Sequence, residues 1–168
     1  MSTIKDKNLA TVGQQEVDWA ARQMKVLEEI KTEFSSSKPL NGLNIGACMH
    51  VTKETANLML TLKAAGANVA LCASNPLSTK DSVAAYLSEN DIEVHAVHGV
   101  SNEDFFKHLN SVLDTNPDIT MDDGADLVTL LLTDRADIPI MGSMEETTTG
   151  VIRLKSMEKN NKLRFPVV

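Results

Sequence analysis

Cysteine is scarce in this sequence, and its spacing excludes the sites that cysteine builds. The two cysteines, Cys48 and Cys72, each lie inside an apolar run with no second cysteine two or three residues away. This spacing gives neither a CxxC metal site nor a disulfide framework, so we expect two buried free thiols. No spacing of histidine, cysteine and carboxylate residues resembles a zinc site either.

Net positive charge and long hydrophobic runs are also absent. The formal net charge is -7 at pH 7, whereas nucleic acid and anionic lipid are bound by basic surfaces. No apolar stretch approaches the roughly 20 residues that span a bilayer, and the first 20 residues are too polar for a signal peptide. We therefore expect a cytoplasmic protein without a nucleic-acid or membrane partner.

Glycine-rich phosphate motifs are missing as well. No Gly-x-Gly-x-x-Gly follows an apolar run, and no glycine precedes a Lys-Ser or Lys-Thr pair. The chain thus carries no recognisable fingerprint for a dinucleotide and no phosphate loop.

The sequence instead has the pattern of one α/β domain covering residues 1–168. Helically spaced apolar residues predict an amphipathic helix over 14–33, within a helical lead-in of about 14–35 that the segment SSSKPLNG ends. Short apolar runs then alternate with helical segments over 43–168, which predicts a doubly wound, mostly parallel sheet with helices on both faces. Ser101 and Asp104 predict one helix start. We expect strands near 43–48, 67–73, 92–97, 119–121 and 138–141.

Polar residues follow these runs where ligands bind in open α/β sheets, outside the carboxyl ends of the strands. Such a set of histidine, carboxylate and hydroxyl groups is suited to binding a polyhydroxylated ligand and moving protons on it. The residues are His50, Thr52 and Glu54 after the first run, Ser74, Asn75, Ser78 and Thr79 after the second, Asp122 and Asp123 after the fourth, and Glu145, Glu146 and Thr147 to Thr149 after the fifth.

Each group also has a structural alternative. Asp-Asp-Gly favours a turn, and Glu-Glu-Thr-Thr-Thr-Gly favours a helix N-terminus. A single histidine after a strand is more often a hydrogen-bonded structural residue than a catalyst, and His95, His98 and His108 have no neighbours that favour function. Only the convergence of several loops favours a site.

Four runs resemble the S-adenosylhomocysteine hydrolase family in order and separation. They are CMHVTKETA (48–56), SNPLSTKD (74–81), MDDGADL (121–127) and MEETTTGV (144–151). The resemblance begins near Asp18-Trp19, continues through Lys38-Pro39-Leu40 and Gly66-Ala67, and reaches the last residue. It implies the Rossmann-like substrate domain of an oligomeric enzyme that hydrolyses S-adenosylhomocysteine to adenosine and homocysteine.

The family reaction uses a tightly bound NAD to oxidise the ribose 3′-hydroxyl, after which homocysteine leaves and water adds at the 5′ carbon. By position, His50 and Asp123 resemble the acid–base pair at the leaving group, and Glu146 resembles the carboxylate near the ribose. Thr52, Glu54 and Thr55 resemble nucleoside contacts, and Thr147, Thr148 and Thr149 resemble threonines that touch NAD. A separate NAD-binding domain with the catalytic lysine is expected outside this chain.

Two residues depart from the family pattern. Lys80 stands where the commoner residue is glutamine, which leaves the purine preference open. Ala125 replaces a glycine, and the small alanine side chain is tolerable here if its φ is negative. The ending KLRFPVV resembles the start of a further strand, which favours a longer parent protein.

Three functional hypotheses are compatible with these residues to different degrees. The chain is part of a hydrolase that is active only with its remainder, or it is a non-catalytic nucleoside-binding or oligomerisation module. A phospho-acceptor receiver is a distant third, because its acidic pair would follow the first strand rather than the fourth.

Overall fold

Five parallel strands form one sheet at the centre of the protein. A computed structural model describes all 168 residues. The sheet order is β3-β2-β1-β4-β5, and every neighbouring pair is parallel. The order reverses between β1 and β4, as in other doubly wound sheets. The strands are β1 (Asn44–Cys48), β2 (Asn68–Cys72), β3 (Glu93–His95), β4 (Ile119–Asp122) and β5 (Gly142–Glu145).

Helices cover both faces of this sheet. One face packs against α1, α3 and α4, and the other packs against α5 and α6. The predicted α/β class, with a doubly wound sheet and helices on both faces, is therefore confirmed. The helices are α1 (Ala10–Ala21), α2 (Lys25–Ser37), α3 (Lys53–Ala64), α4 (Asp81–Glu89), α5 (Asn102–Leu113), α6 (Asp126–Leu132) and α7 (Thr148–Lys159).

Strand β1 explains why the apolar runs are continuous rather than alternating. Ala47 is buried in the core beneath α3 and α4, whereas the next residue, Cys48, is buried beneath α5 and α6. Because side chains alternate along a strand, a strand covered on both faces is apolar at every position. A Cβ atom on Gly46 would lie 2.9 Å from Val112 Cγ1, so glycine at this position lets α5 pack closely on the sheet.

Both cysteines are free thiols buried in this core, as expected. Cys48 and Cys72 are directly opposite each other on β1 and β2. Each thiol donates to a backbone carbonyl, Cys48 to Ala73 O and Cys72 to Ala47 O. The neighbouring Cys72 side chain, together with burial, raises the pKa of Cys48 well above its usual value. A thiol with such a pKa stays protonated and unreactive at neutral pH.

The single helix predicted over 14–33 is wrong. The structure has two helices, α1 and α2, separated by a tight turn in which Met24 leaves the helical region at φ -109° and ψ 50°. Helix α1 packs against α3 and α4, whereas α2 packs against α3 and buries no residue fully. Apolar periodicity indicates which face is covered, but it does not separate one helix from two that present the same face.

The strand predicted at 138–141 is also wrong, and the fifth strand begins at Gly142. Ile138 and Ile140 do pack into the core, but from a loop. Pro139 has no N–H to donate into the sheet, which disfavours a central strand at this position. As a result Glu145 belongs to the end of β5 rather than to the loop after it.

The C-terminal residues lie beside β5. Ser143 and Val167 form a single parallel bridge, and Val168 N donates to Ser143 O at 3.0 Å. The strand start expected in KLRFPVV is therefore present as one bridge. None of the helices combines the length and apolarity that crossing a bilayer requires.

Candidate functional site

The loops after β1 and β4 leave the sheet side by side. Cys48 and Asp122 are register partners at the ends of these strands, and the strand order reverses between them. Ligands of open α/β sheets bind at such a reversal, because the flanking connections diverge and leave a crevice. Residues 49–52 and 123–125 therefore border the expected crevice.

A polar cluster around Asp123 lies at this position. His50 Nε2 is 3.3 Å from Asp123 Oδ2, and Ser74 Oγ donates a hydrogen bond of 3.0 Å to the same oxygen. The Asp123 side chain is only 12% exposed, whereas that of His50 is 56% exposed. Asp123 Oδ1 takes part in no hydrogen bond within the chain, so it can accept one from a ligand.

The loop that carries Asp123 is held by residues of β5 and α7. Glu145 accepts hydrogen bonds from Gly124 N at 2.9 Å and Ala125 N at 2.8 Å. It also accepts from the backbone N–H and the hydroxyl of Thr147, at 2.9 and 2.8 Å. Arg153 donates to Gly124 O and, at 2.9 Å, to Asp126. Glu145 thus joins two loops of the crevice.

The two glutamates of the Glu-Glu-Thr-Thr-Thr-Gly run consequently have different roles. The Glu145 carboxylate is fully engaged, and a Cβ atom on Gly150 would lie 2.1 Å from it. That contact explains why glycine follows the threonines. Glu146 is exposed, and its side chain makes no hydrogen bond or ion pair. Of the two, only Glu146 is available to a ligand.

The condition stated for alanine at position 125, a negative φ, is not met. Ala125 has φ 61° and ψ 33°, in the left-handed region, as the N-cap of α6. Its N–H is held by Glu145, and its methyl group is buried against Val128 and Leu154. For a residue with a Cβ this conformation costs roughly 1–2 kcal/mol. The hydrogen bond and the buried contacts offset that cost.

Asp122 is buried rather than part of the crevice, in contrast to its expected place among the site carboxylates. It is 1% exposed, its Oδ2 accepts from Val128 N at 3.0 Å, and its Oδ1 has no partner. Burial raises the pKa of Asp122 to about 7, the Val128 hydrogen bond opposes that rise, and the carboxylates of Glu145 and Asp126 add to it. Asp122 therefore changes charge near neutral pH.

A groove of about 680 Å³ adjoins the crevice between α2 and the start of α3. Three residues expected at the site line it, namely Glu54, Thr55 and Glu146. Its walls are largely apolar, with polar groups at few places, which is typical of pockets that hold an organic ligand. The apolar wall residues are Met24, Val26, Leu27, Ile30, Met49 and Leu58.

The remaining expected threonines lie at helix starts. Thr52 is the N-cap of α3 and accepts from Thr55 N at 3.3 Å. Thr147 is the N-cap of α7, accepts from Gly150 N at 3.0 Å, and donates to Glu145. Thr148 and Thr149 are exposed in the first turn of α7. The helix-start alternative therefore accounts for Thr147, while Thr148 and Thr149 remain open to contact.

Lys80 lies at the edge of the site, held by a residue from α1. Its ammonium group is 2.6 Å from Glu16 Oε1, and Ser82 Oγ donates to Glu16 Oε2 at 2.8 Å. Burial tends to raise the pKa of Glu16, but these partners lower it below its usual value. The cation expected beside the nucleoside pocket is thus paired within the chain.

His95 and His108 lie away from the crevice, near the β3 edge of the sheet. His95 is buried and contacts Thr3 and Glu93, each at 3.2 Å. Burial lowers the pKa of both histidines. These neighbours give His95 the hydrogen-bonded structural setting expected from the sequence.

Sequence reasoning missed two groups of residues that form the site. The first is the apolar wall from α2, whose exposed Val26 at 72% and Ile30 at 37% mark an uncovered face. The second is Arg153, which together with Glu145 fixes the Asp123 loop; Glu145 was named from the sequence, but without this role. Glu145 and Glu146 are adjacent acids in the sequence, and nothing there tells which one is engaged. No sequence signal located the wall, because apolar periodicity does not reveal the turn that separates α2 from α1.

Comparisons with known proteins bear on what this site binds. The family model of S-adenosyl-L-homocysteine hydrolase matches residues 1–138. The chain is 48% identical to an adenosylhomocysteinase of Pyrococcus abyssi, covering 98% of the chain and 40% of the relative. It is 49% identical to S-inosyl-L-homocysteine hydrolase of Methanococcus maripaludis, covering 100% and 41%, and 49% identical to an adenosylhomocysteinase of Aquifex aeolicus, covering 98% and 40%. The chain spans about two fifths of the length of these relatives.

Proposed function

Because the chain belongs to the S-adenosyl-L-homocysteine hydrolase family, we propose that it is the substrate-binding part of such an enzyme. With the remaining three fifths of its relatives' length, it would catalyse the reversible, NAD-dependent hydrolysis of S-adenosylhomocysteine to adenosine and homocysteine. The chain alone lacks this activity and binds the nucleoside part of the substrate.

One observation carries this proposal. The His50–Asp123 pair, with its 3.3 Å contact, lies at the reversal of strand order, and the groove containing Glu54, Thr55 and Glu146 adjoins it. An apolar groove of about 680 Å³ is large enough for a purine nucleoside. The purine lies between α2 and α3, and the ribose hydroxyls face Glu146, the exposed acceptor at the groove edge.

His50 and Asp123 then serve as the proton-transfer groups at the 5′ substituent. Asp123 keeps one carboxylate oxygen available, while Ser74 and His50 fix the orientation of the other. A leaving thiolate must gain a proton, and an attacking water must lose one. A histidine and a carboxylate in contact suit both steps, since side chains of both types act as general acids and bases.

The residues of this chain do not fit NAD as a complete site. The β1 loop, where a dinucleotide fold has its glycines, contains Met49 and His50 instead. Thr147 uses its hydroxyl within the chain, so only Thr148 and Thr149 are open to contact the cofactor. We assign NAD binding mainly to the C-terminal portion that the relatives have, where NAD would supply the hydride acceptor.

The expected partners follow from the same proposal. They are S-adenosylhomocysteine, adenosine and homocysteine, the C-terminal NAD-binding portion, and further copies of the complete enzyme in a homo-oligomer. The cytoplasmic location rests on the sequence alone. A non-catalytic nucleoside-binding or oligomerisation module is the second candidate, and it would use the same apolar groove.

The proposal is tested by titrating the ¹⁵N-labelled chain with adenosine and following its amide NMR signals. Shifts confined to residues 49–55, the α2 wall and Glu146 are the expected result. Glu146→Gln should weaken binding, since the ribose hydroxyls lose an ionised acceptor. Shifts elsewhere, or none at millimolar adenosine, would contradict the proposal. Turnover regained with the C-terminal portion of a relative would decide between the enzyme and the module.

A further inference from the structure

Two pairs of residues in this chain have a sequence that can rearrange without an enzyme. In an Asn-Gly or Asp-Gly pair, the glycine nitrogen can attack the side-chain carbonyl carbon of the preceding residue, because glycine has no side chain to obstruct the approach. The sequence has one pair of each kind, Asn41-Gly42 and Asp123-Gly124. The surroundings of the two pairs differ, and this difference decides which one reacts.

The Asn41-Gly42 pair lies in the turn between α2 and β1. Both residues are exposed, and the side-chain amide of Asn41 makes no hydrogen bond within the chain. Gly42 has a φ of +82°, and a Cβ atom at this position would meet no atom within 4 Å. The Asn41 side chain therefore has room to turn toward the Gly42 nitrogen.

The Gly42 N–H is also weakly held. It donates to Gly66 O at 3.3 Å, which is longer than the usual range for an N–H···O bond. By comparison, Leu40 N donates to Ala65 O in the same turn at 3.0 Å. The Gly42 nitrogen must lose its proton before it attacks, and a bond of this length hinders that loss little.

The Asp123-Gly124 pair is held on both sides. Gly124 N donates to Glu145 Oε1 at 2.9 Å, and a hydrogen bond to a carboxylate is stronger than one to a carbonyl. The Asp123 carboxylate is contacted by His50 and Ser74 at 3.3 and 3.0 Å. The negative charge of Glu145 also opposes loss of the proton from Gly124 N. Rearrangement here requires all of these contacts to break.

We propose that Asn41 is a site of spontaneous deamidation, and that Glu145 suppresses the same chemistry at Asp123. Gly42 N gives its proton to water and forms a bond to Asn41 Cγ. The bond from Cγ to the amide nitrogen breaks, and that nitrogen takes up a proton and leaves as ammonia. Water then opens the cyclic imide at either carbonyl, which gives aspartate or isoaspartate. Water is the only other reactant, and the inference does not depend on the proposed function.

The two products should affect the turn differently. Both add a carboxylate to a chain whose net charge is already -7. Isoaspartate also adds a methylene group to the backbone, where a Cβ atom on Gly66 would already lie 2.9 Å from Asn41 Cα. The turn joins α2, which buries no residue fully, to the central strand β1. We therefore expect isoaspartate at position 41, but not aspartate, to lower the melting temperature.

The test incubates the purified 168-residue chain at mildly alkaline pH. Isoaspartate is counted by methyl transfer from labelled S-adenosylmethionine with an isoaspartyl methyltransferase, and peptide mass spectrometry locates it. The peptide that contains Asn41 should gain both the mass change of deamidation and the label, whereas the peptide that contains Asp123 should not be labelled. Asn41→Gln keeps the amide but requires a larger ring, so nearly all of the label should be lost.

Asp123→Asn is the matched control, because it creates a second Asn-Gly pair in the held loop. In the folded chain, position 123 should deamidate at least about tenfold more slowly than Asn41, since a hydrogen bond to a charged group must first break. In urea that unfolds the chain, the two positions should react at similar rates. The folded structure, rather than the neighbouring sequence, then accounts for the difference.

Three results would overturn the inference. They are an unmodified Asn41 in the folded wild-type chain, equal rates at the two positions of folded Asp123→Asn, and rates that differ as much in urea as in the folded chain. The wild-type chain and Asn41→Gln test the reactive pair without the Asp123 variant. Asn41→Asp should melt at the wild-type temperature, and a lower melting temperature would contradict the distinction between the two products.

Discussion

Asp122 and Asp123 are adjacent residues whose different surroundings give them different chemistry. Asp122 is the last residue of β4, points into the core and has a pKa raised to about 7, chiefly by burial. Asp123 is the first residue of the loop and reaches the crevice, where His50 and Ser74 contact it. Since the pleat directs successive side chains to opposite sides, one aspartate is structural and the other is available for proton transfer.

Replacing Asp123 by asparagine should therefore affect catalysis more than binding. An amide keeps the shape of the carboxylate but transfers no proton, and proton transfer contributes roughly 10²–10⁴-fold to turnover. In the complete enzyme we expect kcat to fall by at least about 10²-fold, while the dissociation constant for adenosine changes by less than about threefold. Steady-state kinetics and a binding titration check this, and Asp118→Asn, remote from the crevice, is a control. Unchanged turnover would assign Asp123 to the turn alone.

Asp122 should make the stability of the chain depend on pH. Its folded-state pKa of about 7 is above its ordinary value of 3.8, so the folded state holds this proton more tightly than the unfolded state does. Its contribution is fully present below about pH 4 and is lost as pH rises through about 7, by up to about 4 kcal/mol. The lowered pKa values of His95 and His108 act in the opposite direction, because their contribution is lost as pH falls.

Comparison with Asp122→Asn isolates this contribution from that of the histidines. Asparagine cannot ionise, and its carbonyl oxygen can still accept from Val128 N. The difference in free energy of unfolding between the two proteins should change by several kcal/mol between pH 4 and pH 8, with the variant gaining relative to wild type as pH rises. Urea unfolding at four pH values measures it. A difference that is constant with pH would show that Asp122 is ionised throughout.

At the scale of elements, the predictable features were those that local chemistry determines. Four of the five strands have ends within two residues of their predicted positions, because continuous apolar runs are required where both faces of a sheet are covered. Ser101 caps α5 as its spacing with Asp104 predicted. The division between α1 and α2 depends on packing partners, and the position of β5 depends on Pro139. The apolar pattern alone indicates neither.

The crevice shows the same division. Strand topology alone predicts that the residues after β1, β4 and β5 gather at one edge, and they do. Which of two adjacent acids faces outward depends on the residue at which the strand ends. The predicted end of β5 was four residues too early. The groove wall from α2 was not predictable, since it requires the turn at residues 22–24.

Glu145 should be a stabilising link between elements rather than a ligand-binding group. Glu145→Gln keeps the size of the side chain but turns an N–H donor toward groups that donate hydrogen bonds to Glu145. We expect the free energy of unfolding to fall by about 2–3 kcal/mol, since charge-assisted bonds to the Gly124 and Ala125 loop are lost. Amide hydrogen exchange at those two residues should accelerate correspondingly.

The adjacent residue provides a matched control. Glu146→Gln makes the same chemical change one position later, at a side chain that is exposed and without partners. Its stability should stay within about 0.5 kcal/mol of wild type, while adenosine binding weakens. If Glu145→Gln were neutral and Glu146→Gln destabilising, the roles assigned to the two carboxylates would be reversed.

At the scale of the whole molecule, the site is open on one side. The groove between α2 and α3 lies at the edge of a single sheet, and His50 and Glu146 are largely exposed. Pockets that bind small molecules tightly bury most of the ligand surface. In a cleft that remains wet, polar contacts are screened and proton transfer competes with bulk water.

The 168-residue chain alone should accordingly neither hydrolyse S-adenosylhomocysteine nor retain NAD in stoichiometric amount. Oxidation at the ribose needs a hydride acceptor, and no glycine-rich turn is present at the reversal of strand order to hold its pyrophosphate. Nucleoside affinity should be weak for the reason just given, whereas adding the C-terminal portion of a relative should close the cleft and restore both properties. A turnover assay and cofactor analysis of the purified chain, with and without that portion, measure this. Multiple turnovers by the chain alone with bound NAD would show that the cofactor site lies in these residues after all.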